Sequence, residues 1–116
     1  MPTMTSEFFY SARYQTQVVA LNAQAAAVPQ GTIIAVKSTP DGTFDVIGAG
    51  TGAYSAPYGV LLKDTPAAAA VQAADVIVIG ELFKDFVDGV YKAANSGTAL
   101  TAAQIAALRN IGIILK

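Results

Sequence analysis

The groups able to do chemistry in this 116-residue chain are limited first by two absences: there is no histidine and no cysteine. Without histidine the commonest general base and the commonest transition-metal ligand are missing. Without cysteine there is no thiol nucleophile, thiolate metal site or disulfide framework. A serine nucleophile would then need a lysine base. Ser6, Ser11, Ser38, Ser55 and Ser96 are followed three residues on by Phe9, Tyr14, Asp41, Tyr58 and Ala99, so no Ser-x-x-Lys dyad exists. The carboxylates are Glu7, Asp41, Asp45, Asp64, Asp75, Glu81, Asp85 and Asp88. Glu81, Asp85 and Asp88 are near enough in sequence to gather in space. They lack the alternating oxygen ligands and closing glutamate of a calcium loop. A paired-carboxylate glycosidase is formally open, but the chain has no tryptophan for a sugar platform. These patterns describe solvated carboxylates better than a catalytic pair, and the expectation is that the chain is not an enzyme and holds no metal or cofactor.

Gly48-Ala49-Gly50-Thr51-Gly52-Ala53 satisfies the loose dinucleotide pattern G-x-G-x-x-A. That mechanism needs a helix to start at the glycines, so that its N-terminus meets the pyrophosphate. Pro57 and Gly59 follow too soon for a helix to propagate, and no Gly-Lys-Ser/Thr follows either. The segment 48–59 therefore reads as a surface loop. The remaining concentration of special residues is aromatic. Phe8, Phe9, Tyr10 and Tyr14 fall within seven positions, in a chain with five Phe and five Tyr. Residues 1–16 read as an N-terminal arm whose aromatics offer anchors to a partner. The competing reading is an ordinary first strand packing into its own domain.

The elements that would carry these residues are mostly short strands. Residues 17–21 (QVVAL) and 31–37 (GTIIAVK) are rich in β-branched residues. Ser38-Thr39-Pro40-Asp41-Gly42 is a turn, with Pro presetting φ and Asp-Gly supplying a positive one. Residues 43–47 return as the second half of a hairpin. A short strand is expected at 60–63, and 64–75 reads as a connector with room for a turn or two of helix. Residues 76–79 (VIVI) form a strand that continues through Glu81-Leu82-Phe83, with Gly80 marking a bulge or bend inside the run. Residues 84–97 give no clear signal. Thr101 and Gln104 form a capping box ahead of a helix over 102–110, closed by Gly112. A last strand covers 113–115. One domain over 17–116 follows, mainly β, folded over or incompletely closed, with one late helix. No strand–long-helix rhythm of a parallel-sheet enzyme is present.

Charged residues make up 13% of the chain, against roughly 25% for an average soluble domain, and the mean hydropathy is +0.47. Net charge is −1 and no two basic residues are adjacent, which is not the footprint of a nucleic-acid groove. The apolar stretch Pro66–Gly80 is broken by Gln72 and Asp75 and is too short to span a bilayer. The start of the chain lacks the basic beginning of a signal peptide. A chain this low in charge is expected to keep apolar surface for a partner, although its many alanines also raise the count.

Three segments then carry a resemblance. They are Pro57-Tyr58-Gly59-Val60-Leu61-Leu62, then Ala74-Asp75-Val76-Ile77-Val78-Ile79-Gly80-Glu81-Leu82 after an alanine-rich connector, and finally Ile105-Ala106-Ala107-Leu108-Arg109-Asn110-Ile111-Gly112-Ile113-Ile114-Leu115. In this order and spacing, over about residues 17–116, the chain resembles the lambda-type head decoration proteins of tailed bacteriophages. The resemblance implies a β-clip-type domain and an N-terminal arm that orders on the capsid. It implies a homotrimer at local three-fold positions of the expanded head, clamping the major capsid protein. It implies no catalytic residue and no cofactor, synthesis in the bacterial cytoplasm, and residence on the outer surface of the virion. Phe8, Phe9, Tyr10 and Tyr14 become the candidate capsid-binding residues. The alternatives are a phage tail or fibre component, and a small glycan- or ligand-binding β domain using the 48–59 loop with Tyr54 and Tyr58.

Overall fold

The structure is a computed structural model that describes residues 9–116. Its strands are β1 (Phe9–Leu21), β2 (Ile33–Lys37), β3 (Asp45–Val46), β4 (Tyr54–Leu61), β5 (Gln72–Leu82) and β6 (Ile113–Leu115). Two helices, α1 (Lys84–Ala94) and α2 (Ala102–Ile111), lie between β5 and β6. The fold is mainly β. One sheet runs β1-β5-β4-β2-β3 with antiparallel neighbours, and β6 joins β5 in parallel at Gly80–Leu82.

The apolar runs are buried on both sides of this sheet, which is why they read as nearly unbroken rather than alternating. Successive side chains point to opposite faces. Ile33, Val60 and Ile77 pack with Leu82, Val87, Leu100, Leu108, Ile113 and Leu115 beneath the helices. Their neighbours Ile34, Leu61 and Val76 pack on the other face with Val19, Leu21, Val28 and Ala74. That second face is enclosed because the sheet curls. Its two outermost strands meet at one place, where Leu21 bridges Phe44. The result is folded over on itself without being a closed barrel.

Three glycine- and turn-rich places explain the chain's path. Gly42 has φ 86°, and the Asp41 carboxylate accepts the Thr43 N–H at 3.1 Å, closing the β2–β3 hairpin. At Gly59 a Cβ would meet the Ile77 carbonyl oxygen and Val76 Cγ1, so only glycine lets β4 cross β5 so closely. Gly112 sits at φ 103° and ends α2, while Thr101 and Gln104 complete the expected capping box at its start.

Four expectations need correction. First, the strand expected over 17–21 starts at Phe9 and runs along β5, while residues 1–8 of the expected arm lie outside the described residues. β5 continues through Gly80 and Glu81 to Leu82, and Leu82 pairs with Phe9 at the start of β1. The register of β1 against β5 shifts between the pairs Phe9↔Leu82 and Tyr14↔Gly80. Second, residues 84–94 form α1, giving two helices instead of one. Phe86, Val87, Val90 and Tyr91 are spaced as a helical stripe, and Gly89 in their midst weakens the local signal. Third, the 64–75 connector holds no helix. Thr65 and Ala68 exchange backbone hydrogen bonds with Val28 and Gln24 instead, and β5 begins at Gln72. Fourth, the loop expected over 48–59 is shorter, because β4 begins at Tyr54.

Candidate docking surface

β1 is an outermost strand of the sheet. Among the described residues no strand pairs with its outer side between Phe9 and Ala20. Its backbone therefore presents N–H and C=O groups on that side, and Arg13 to Val18 are all exposed. Soluble proteins usually blunt such edges with lysine, proline or very short strands. Here the strand is 13 residues long, and no charged residue occurs from Tyr14 to Val36. Val18 is 62% exposed. Beside this edge lies a shallow apolar groove of about 260 Å³ lined by Pro57, Tyr58, Val78, Ile79 and Ile111. Ile79 itself is 47% exposed.

The four aromatic candidates are placed differently from one another. Phe8 lies outside the described residues. Phe9 is half-buried against the helix-side core and stacks on Tyr14, with ring centroids 4.3 Å apart. Tyr10 packs edge-on against Phe83 at 5.4 Å, and the Lys116 ammonium lies 5.5 Å from its ring centre. Tyr10 and Tyr14 are exposed. Tyr14 crosses Gly80 so closely that a Cβ there would come within 3.0 Å of Tyr14 Cβ. Phe9 is thus a packing residue, while Tyr10 and Tyr14 keep surface for a partner. Val18 on β1, and Ile79 and Ile111 in the groove, are also exposed and were not singled out from the sequence. The signal was present for Val18: in Val18-Val19 the period-two rule sends adjacent side chains to opposite faces, and Val19 is buried.

The other sequence patterns are used internally. In the glycine turn, Gly48 N–H donates to the Tyr54 carbonyl, Ala49 to Val46, Gly52 to Gly48, Ala53 to Gly50 and Tyr54 to Ala49. These backbone donors, which a phosphate would need, are already engaged, and a strand follows instead of a helix. Tyr54 is buried. Its hydroxyl accepts from Asn22 Nδ2 at 2.9 Å and lies 2.8 Å from Thr43 Oγ1. Thr43 Oγ1 donates to Asp41 at 2.5 Å, so the Tyr54 hydroxyl is the donor to Thr43. Asp41 also takes the Lys37 ammonium at 3.0 Å. Hydrogen bonds from Thr43 and then Lys37 hold the Asp41 carboxyl at about 2, below its ordinary 3.8, and Asp41 in turn raises Lys37. Asp45 accepts from Gln24 Nε2 at 2.8 Å and Asn22 Nδ2 at 3.2 Å. The Tyr58 hydroxyl donates to Gln17 at 2.7 Å, and its ring packs on Phe44.

The carboxylates do not gather. Glu81 faces Lys116 at 3.9 Å, and Asp88 accepts the Leu100 N–H at 2.8 Å and faces Lys92 at 3.5 Å. The Leu100 N–H, with Lys92 behind it, lowers the Asp88 carboxyl below its ordinary value. Among the described residues no group of three or more His, Cys, Asp or Glu could hold a metal. No helix among them is long and apolar enough to cross a membrane. No protein-family model and no curated protein sequence matches this chain.

Proposed function

We propose that this chain is a structural decoration protein of a tailed-phage head. In this reading it sits on the outer surface of the expanded capsid as a homotrimer at local three-fold positions and clamps neighbouring copies of the major capsid protein. The β-clip assignment belongs to the same reading. Its main support is the exposed outer side of β1, which carries Tyr14 and Val18 and no charge beyond Arg13. An extended segment of a shell protein can add to such an edge, gaining backbone hydrogen bonds without any catalytic side chain. Many weak copies on a repeating lattice then act together. A clamp that binds only the expanded shell stabilises it in proportion to its differential affinity. The order of the three apolar segments in the sequence points the same way.

The test is cosedimentation of the purified chain with expanded heads stripped of it. Saturable binding near one copy per major capsid protein is the expected result. Heads that sediment without the chain would contradict the proposal.

A further inference from the structure

The exposed part of β1 reads nearly the same in both directions. Tyr14-Gln15-Thr16-Gln17-Val18 is centred on Thr16, with glutamine on either side and an apolar residue beyond each glutamine. All five residues are exposed. β1 itself is regular here. The register shift between Gln15↔Ile79 and Thr16↔Ile77 places the extra residue, Val78, on β5.

Two identical strands paired antiparallel across a two-fold axis bring the same patch together twice. With the axis through Thr16, Thr16 faces Thr16 of the second copy. Gln15 faces Gln17, and Tyr14 faces Val18. Hydroxyl pairs and aromatic–β-branched pairs are both favourable across antiparallel strands. Repulsion is absent as well: the nearest charge, Arg13, would stand opposite Val19 of the second copy, well away from its own counterpart. We propose that a second copy of this chain docks antiparallel on β1 about Thr16, joining the two sheets into one and covering in both the side of β1 that no described strand pairs. The pairing rests on the strand alone. One consequence rests on the decoration reading: dimer and shell would compete for the same edge, so the dimer would part as the chain loads onto heads.

The test is sedimentation equilibrium of the full chain at rising concentration. The expected limiting mass is twice the 11.9 kDa of one chain. Thr16→Lys and Thr16→Glu each place like charges in opposition on the axis. Each variant alone should remain at the single-chain mass, and an equimolar mixture of the two should recover the doubled mass. Their circular dichroism should match the natural chain, because Thr16 is exposed. A second variant uses the absence of cysteine. Opposed Cα atoms in an antiparallel pair lie about 4.5–5.5 Å apart, within disulfide reach, so Thr16→Cys should oxidise to a linked dimer. A natural chain that stays at single mass or forms a trimer would overturn the proposal. So would a Thr16→Lys variant that still dimerises, or a Thr16→Cys variant that does not cross-link. Those outcomes leave head binding untouched, so they are distinct from a failure of the decoration reading, which is measured on heads.

Discussion

Leu21, the last residue of β1, bridges Phe44 just ahead of β3, and the next residue, Asn22, donates its N–H to the Phe44 carbonyl at 2.9 Å. This meeting joins the two outermost strands of the sheet. Around it Asn22 and Gln24 hold Asp45, and Asn22 also reaches Tyr54. The polar cluster thus closes the curl over the inner core of Val19, Leu21, Ile34, Leu61 and Val76.

Tyr54→Phe tests this clasp. It removes one hydroxyl that both accepts from Asn22 and donates to Thr43, at a residue only 7% exposed. A loss of about 1–2 kcal/mol is expected for such a part-buried link. In urea titrations the midpoint should fall with an unchanged slope. An unchanged midpoint would mean that water replaces the hydroxyl without loss.

Asp41 gives the clasp an acid limit. Its folded-state carboxyl is held at about 2, against an ordinary value of 3.8. A depressed carboxyl contributes stability above its unfolded value, and that contribution is lost as pH falls through the folded value. The window therefore runs from about 3.8 down to about 2. Asp88 is shifted in the same direction and adds to the loss on acidification. The Asp41→Asn variant should show a shallower fall of the urea midpoint across that window than the natural chain. Parallel curves would remove Asp41 from the explanation.

Gly59 is a site of close approach rather than of turn chemistry. In Gly59→Ala the new methyl meets backbone at Ile77 and a β-branched side chain at Val76, neither of which is a flexible end. A destabilisation of about 1–3 kcal/mol is expected from such overpacking, read as a lowered melting temperature. A melting temperature at or above that of the natural chain would show that β4 and β5 can separate freely.

Much of this architecture was legible in the residues. The β2–β3 hairpin, the β5 run, the capping box at Thr101 and Gln104, and the final strand all follow from local chemistry. The helix α1 was obscured because Gly89 interrupts its stripe, and because Phe83, at its N-cap, makes no side-chain capping bond. The start of β1 was obscured for a different reason. Phe9 to Tyr14 is irregular against β5, so its order comes from a long-range partner that no local pattern reveals. The same fact separates the candidate anchors. Composition gives Phe9, Tyr10 and Tyr14 equal standing, but Phe9 is drawn into the core by the helices that pack beneath the sheet. Likewise Tyr54 and Tyr58 stand in a glycine-rich stretch, yet both hydroxyls are bound within the fold.

Two substitutions divide packing from docking. Phe9→Ala should lower stability by about 1–3 kcal/mol, the half-buried share of a core phenylalanine truncation. Val18→Lys, at a residue 62% exposed, should leave the melting temperature nearly unchanged and weaken binding to expanded heads at least tenfold, about 1.4 kcal/mol. Equal head binding by the Val18→Lys variant would place the docking surface elsewhere.

The central claim is tested most directly on particles. Virions from the source are purified on a gradient, heads are separated from tails, and this chain is quantified against the major capsid protein by mass spectrometry. The account predicts a near-stoichiometric ratio in heads. Absence from heads, or a few copies confined to tails, would contradict it.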